Sequence, residues 1–212
     1  MVAGKAKRAA PSGRKILPLL RETYVQGLKG WPPSAESISS ALGETVREVR
    51  GALEGAKAAG LVKVTRSRVE LTPAGRGRLR VVMMGGAFEI IHSGHIHALT
   101  EAKGLGNTLV VVVATDESVE KNKGRVPVTP QDARVELVSS VRVVDAALPG
   151  NKGSIYEILA RIRPDIVALG YDQHHNSDVI VQEASKRGIQ LRTARLGAQA
   201  PGLKTSKILE SF

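Results

Sequence analysis

The hydrophobic positions of this chain change rhythm near residue 79. Before it the spacing is mostly helical. Ile16, Leu19, Leu20 and Val25 give an amphipathic helix over 14–26, which Gly30-Trp31-Pro32-Pro33 stops. Ser34 caps a short helix through Leu42, with Glu36 in its first turn. After Gly43, residues 44–59 place Val46, Val49, Leu53 and Ala56 on one helical face, and Gly60 ends the helix. Residues 61–65 and 69–72 alternate apolar and polar, with Arg66-Ser67-Arg68 as the turn of a hairpin.

Beyond Leu79 short apolar runs alternate with helical stretches. Strands are predicted over 80–84, 108–114, 143–148, 165–169 and 189–193. The run Thr108–Ala114 is almost wholly apolar and mostly β-branched, as in a parallel strand covered on both faces. Helices are predicted over 95–102, 130–141, 154–162 and 179–187, with a last one from Ser206. Crossovers of this length predict a Rossmann-like, doubly wound parallel five-stranded sheet. The expected organisation is a basic arm without order over 1–13, a small α+β domain over 14–76 and an α/β domain over 80–212.

Helix, helix, glycine turn, helix and hairpin is the order of a winged helix-turn-helix. The segment Ile38-Ser39-Ser40-Ala41-Leu42-Gly43 through Ala59-Gly60-Leu61-Val62 resembles that family, and Leu71-Thr72-Pro73-Ala74-Gly75 is similar to the exit from its wing. Charge sharpens the picture. The 212 residues carry a formal +11, of which residues 1–80 hold 16 Lys/Arg against 6 Asp/Glu, a net of +10. A polyanion such as DNA is the partner class this asymmetry suggests for residues 14–76; a solvated basic surface is the plainer alternative. Aromatics are 3% of the chain, so Val, Leu, Ile and Ala must build the core. Cysteine is absent, which excludes disulfides and thiolate metal sites. No apolar run reaches the roughly 18 residues of a membrane span, and the basic N-terminus lacks a following apolar stretch, so a cytoplasmic protein is expected.

The stretch that carries chemistry is Gly85-Gly86-Ala87-Phe88-Glu89-Ile90-Ile91-His92-Ser93-Gly94-His95. It leaves the first strand of the sheet and opens a helix. Ligands of open α/β sheets bind at the carboxyl ends of strands. Glycines there let backbone N–H groups approach phosphate oxygens, and the helix N-terminus adds partial positive charge. His92 and His95, three apart at a first helical turn, project together and can donate N–H to phosphates. Gly94 between them leaves room for a nucleotide. His174-His175 suggests a metal only weakly, because no third ligand is spaced to help.

His92-Ser93-Gly94-His95 resembles the H-x-G-H signature of cytidylyltransferase-like nucleotidyltransferases. That family usually writes the preceding residues G-T-F-D, where this chain has Gly86-Ala87-Phe88-Glu89. The resemblance implies that Gly86, Ala87, Phe88 and Gly94 bind nucleotide. Val112–Lys121 resembles the family's second strand and its exit, and Lys123-Gly124-Arg125, Pro127 and Arg134 its basic loop and following helix. Lys123 and Arg134 are thereby implied as catalytic groups with His92 and His95. Leu169-Gly170-Tyr171-Asp172 resembles L-G-x-D, implying that Gly170 and Asp172 lie against base and ribose. Lys204-Thr205-Ser206-Lys207 resembles the closing motif, adding Thr205, Ser206 and Lys207 to the nucleotide site, with Arg192 and Arg195 within its reach. Four segments in order, V-A-T-D-E-S-V from Val113, K-G-R-V-P from Lys123, R-P-D-I-V-A-L-G-Y-D-Q from Arg163 and S-K-I-L-E from Ser206, most resemble archaeal FAD synthetases within the family. That implies FMN + ATP → FAD + pyrophosphate with Mg²⁺ on the nucleotide, and a homodimer. A glycerol-3-phosphate-type cytidylyltransferase using CTP has very similar motifs. A winged-helix transcription regulator that senses a nucleotide is the reading from a different class.

Overall fold

A computed structural model describes residues 13–65, 68–152, 155–171 and 176–197. The expected arm over 1–13 lies almost wholly outside them. So do the final helix from Ser206, Asp172, His174, His175, Thr205, Ser206 and Lys207. The chain divides at Leu79/Arg80 into two compact units.

The first unit opens with α1 (Gly13–Leu28), α2 (Ala35–Leu42) and α3 (Val46–Ala58). Ser34 caps α2 and Thr45 caps α3, each in a reciprocal capping box, with Ser37 and Glu48 as the return partners. Leu19, Leu20, Ile38, Val49, Leu53 and Ala56 are among the buried apolar residues of these helices. A two-stranded antiparallel hairpin follows, β1 (Val62–Val64) with β2 (Val69–Leu71), and then one helical turn, α4 (Pro73–Arg76). Gly75 passes so close to the first strand that a Cβ there would lie 1.9 Å from the Leu61 carbonyl oxygen. No larger residue fits without moving backbone.

The second unit runs β3 (Val81–Gly86), α5 (Ser93–Gly104), β4 (Thr108–Val113), α6 (Asp116–Lys123), α7 (Gln131–Ser139), β5 (Ala146–Pro149), α8 (Ile155–Ile162), β6 (Ile166–Leu169), α9 (Ser177–Ser185) and β7 (Arg192–Arg195). All five strands are parallel, in the order β5-β4-β3-β6-β7. The chain winds outward from β3 one way, then crosses back and winds the other way. This is the expected doubly wound, Rossmann-like sheet, and the order reverses between β3 and β6. One face gathers Val82, Met84, Leu109, Val111 and Ala168 under Leu99, Ala102 and Val138. The alternate residues Val81, Met83, Val110 and Val167 are equally buried, as in strands covered on both faces.

Three elements differ from the sequence expectation. Helix α6 was read as a strand exit and loop; seven of its eight residues are polar or charged, and only Val119 is buried. β5 begins at Ala146 rather than 143, because Val141–Val144 turn back on themselves (Val144 N to Val141 O, 2.9 Å) before Asp145 N reaches Leu109 O. β7 begins at Arg192 rather than Ile189. Ile189 still closes the end of α9 through its N–H to Ala184 O, and the edge strand that follows has no apolar run to announce it.

Candidate functional site

The carboxyl ends of β3 and β6 lie side by side at the switch point, which brings Gly86 and Gly170 to one edge of the sheet. The loop from Gly86 to His92 is drawn tight there. Phe88 takes a positive φ of 50°, which bulky residues rarely adopt. Its ring packs beneath Gly86, where a Cβ would meet it at 2.7 Å. Gly86 thus admits the buried Phe88 ring, and Phe88 supports the histidines. Its ring lies 5.2 Å from that of His95, and His95 lies 4.0 Å from His92.

His92 is the N-cap residue of α5 and makes no side-chain capping bond. Its backbone carbonyl accepts from His95 N at 2.9 Å and Ile96 N at 3.2 Å. Its Nδ1 is buried with no hydrogen-bond partner in the protein. Desolvation holds the imidazole below its ordinary pKa, so the ring is neutral at neutral pH. A buried imidazole nitrogen at the positive end of a twelve-residue helix suits an anion that can accept or share its proton.

Two buried charged side chains tie this loop to the segment after α6. Glu89 is fully buried. Its Oε1 accepts from Arg125 Nη1 at 2.5 Å and Val128 N at 2.8 Å; its Oε2 accepts from Lys123 Nζ at 2.9 Å and Arg125 Nη2 at 3.0 Å. The paired Arg125 guanidinium first, and Lys123 and Val128 N–H after it, outweigh burial and hold the carboxyl at about 2.

Arg134, on α7, is wholly buried. It donates from Nε to Thr129 O at 2.9 Å, from Nη1 to Ala87 O at 2.5 Å, and from Nη2 to Ala114 O at 2.8 Å and Asp116 Oδ1 at 2.6 Å. The guanidinium thereby gathers the ends of β3 and β4 and the first residue of α6. Gln131 does a similar task with one amide, donating to Val113 O and Gly150 O.

The structure therefore brings together Gly86, Ala87, Phe88, His92, Gly94, His95, Lys123 and Arg134. Gly170 stands at the neighbouring strand end, where its carbonyl accepts from Arg195 Nη1 at 3.2 Å. Glu89 and Arg125 complete the cluster but were not singled out as site residues in the sequence. The signal was present: a carboxylate in an otherwise apolar loop needs buried partners, and a basic triplet downstream offers them.

Residues 83–210 match the family model described as cytidylyltransferase-like. The FAD synthase of Thermococcus kodakarensis is 42% identical over 138 residues, 64% of this chain and 92% of that protein. The FAD synthase of Methanosarcina acetivorans is 37% identical over 132 residues, 61% of this chain and 86% of that protein. A crystal structure described as the lipopolysaccharide core biosynthesis protein of Thermoplasma volcanium superposes with a TM-score of 0.55 at 38% identity, covering 57% of this chain and 99% of that one.

Proposed function

The chain belongs to the cytidylyltransferase-like family, and from that premise we propose that it is an FMN adenylyltransferase, joining the AMP moiety of ATP to FMN and releasing pyrophosphate. The observation that carries this reading is the likeness to FAD synthases across nearly their whole length.

The chemistry follows from the site. An FMN phosphate oxygen attacks the α-phosphorus in line; the new O–P bond forms as the bond to the β-phosphate oxygen breaks, and pyrophosphate leaves. No covalent enzyme intermediate is required. Catalysis is then positioning and charge stabilisation. His92 and His95 donate to phosphate oxygens from the start of α5, where backbone N–H groups add to them. Lys123, about a third exposed, offers charge to the same phosphates. Arg134 acts through the backbone it holds, since four protein oxygens occupy its guanidinium. Gly170, with Asp172 beyond it, and Thr205, Ser206 and Lys207 serve the base, ribose and phosphates.

Among the described residues no cluster of three His, Asp or Glu side chains forms a protein cage for a metal. A donor set of imidazole, lysine and arginine fits a magnesium nucleotide whose cation is held by phosphate oxygens. When bound, Mg²⁺ supplies charge neutralisation on the triphosphate.

The test is incubation of the full chain with FMN or glycerol 3-phosphate against ATP or CTP, read by product mass. FAD from FMN and ATP alone is expected. A CDP-linked product would move the chain to the cytidylyltransferase alternative.

For the first unit we propose a winged helix-turn-helix that contacts duplex DNA. The net +9 of residues 1–79, 15 Lys/Arg against 6 Asp/Glu, supports this, as do the exposed Arg47, Lys57, Lys63 and Arg68 along α3 and the hairpin. Arg50 is less available, being paired with Glu36 at 2.8 Å. A gel shift with the full chain across a salt series decides it. Retardation that fades with salt is expected, and no retardation at low salt removes the idea. A cytoplasmic setting and a homodimer complete the proposal. Among the described residues no helix is long and apolar enough to cross a membrane.

A further inference from the structure

The reaction as proposed uses Lys123 but gives no reason for the carboxylate that holds it. Both oxygens of Glu89 accept two bonds each, which fills the four lone-pair sites of a carboxylate. Two of the four come from one guanidinium in the paired, fork-like arrangement that fixes an arginine in orientation as well as place. The formal charges of Glu89, Lys123 and Arg125 are −1, +1 and +1, leaving +1. The Lys123 and Arg125 side chains stay 34% and 38% exposed, while Glu89 beneath them is wholly covered. The cluster is thus a pair of solvent-facing cations on a buried anionic anchor, three residues before His92.

Such an anchor has two opposite effects on a bound polyanion. It holds the cations in one geometry, so that their ordering cost is met before ligand arrives. It also places a negative charge below the ligand, which weakens attraction at close range. We propose that Glu89 is a positioning residue that fixes Lys123 and Arg125 against the pyrophosphate portion of the nucleotide, and that its charge keeps the departing pyrophosphate from binding too tightly. The ligand class is an inorganic polyphosphate. Two fixed cations over a net +1 suit a multiply charged diphosphate better than the single phosphate of an acceptor. The inference rests on the nucleotidyltransferase reading of this site. It assigns a purpose to the longer side chain found where the family usually has aspartate.

The test titrates the full chain calorimetrically with inorganic pyrophosphate and, separately, with FMN, in wild type, Glu89→Gln and Arg125→Gln, alongside kcat and urea midpoints. Glu89→Gln raises the local charge and frees both cations. Removal of a full charge beneath a multiply charged ligand outweighs the lost ordering of two side chains, so the variant is expected to bind pyrophosphate about tenfold more tightly, while the loss of fixed geometry lowers kcat about tenfold or more. Arg125→Gln is expected to bind pyrophosphate about tenfold more weakly. FMN affinity should move by less than about twofold in both. Unchanged or weakened pyrophosphate binding in Glu89→Gln overturns the proposal. So does an Arg125→Gln variant with unchanged affinity, or a change confined to FMN. A purely structural Glu89 would lower the urea midpoint and leave pyrophosphate affinity alone. Should Glu89→Gln fail to fold, Glu89→Asp decides: it keeps the charge but shortens the reach to Lys123 and Arg125, so pyrophosphate affinity should stay within about twofold while kcat falls, and unchanged kcat overturns the proposal. A wild type that makes no FAD but binds pyrophosphate in this pattern would sink the FMN assignment and leave the Glu89 proposal standing.

Discussion

Replacing Arg134 with methionine separates two ways in which a basic residue can matter at a phosphate site. Methionine fills much of the same volume and removes all four hydrogen bonds. The carbonyls of Ala87, Ala114 and Thr129 lose a charged donor, and each such loss costs about 1 kcal/mol or more where water cannot replace it. Asp116 contributes less, because its side chain is 41% exposed and water can solvate it. The total loss of stability is then about 3 kcal/mol, in the lower range for breaking a buried charged network. Urea unfolding of the pure variant measures it directly. Activity should fall as well, since the carbonyl of Ala87 belongs to the loop that carries Phe88 and His92. Arg134→Lys should recover only part of the stability, because one ammonium cannot span Thr129, Ala87 and Ala114. A variant that loses turnover while keeping stability to within about 0.5 kcal/mol would refute this reasoning and place the guanidinium on substrate instead.

His92→Ala and His95→Ala should each lower kcat on the order of 10²-fold or more, the loss typical of one donor to developing charge; near-normal turnover in either contradicts the phosphate-site assignment. Acid should destabilise the protein in two windows, followed by urea midpoints against pH. The folded pKa of His92 is depressed, so the unfolded chain binds that proton first and stability falls as pH drops below about 6.5. Glu89 contributes stability present above its ordinary value of 4.5 and lost as pH falls towards about 2. Glu89→Gln should shrink the second window without abolishing it, since Glu36, Glu117 and Glu183 are also held below their ordinary values by cationic partners, and a profile identical to wild type would disprove the contribution of Glu89.

The sheet was legible because its strands are buried on both faces, and a run such as Thr108–Val113 has few other uses in a domain of this size. The loop from Gly86 to His95 was legible from its glycines and histidines together with their place between a strand and a helix and their resemblance to H-x-G-H. Helix α6 was not, because its sequence DESVEKNK offers almost no apolar stripe. Its caps were written plainly, with Thr115 accepting from Ser118 N, acids in the first turn, lysines in the last and Gly124 at φ 70°. Edge strand β7 was misplaced for a similar reason: it pairs on one side only and carries arginine at both ends. Arg134 shows where spacing runs out. A helix position in the sequence does not reveal that the side chain turns inward to four oxygens. Glu89 looked like a departure from a motif; Lys123 and Arg125 downstream were candidate partners, and the fold brings both onto its carboxylate.

The most direct test of the central claim is the stoichiometry of phosphate products when the wild-type chain turns over. With ATP and FMN together, one pyrophosphate should appear for each FAD formed, and neither product should appear when either substrate is withheld. Pyrophosphate released from ATP without FMN, or ADP and orthophosphate in place of pyrophosphate, would contradict in-line adenylyl transfer at the His92–His95 site.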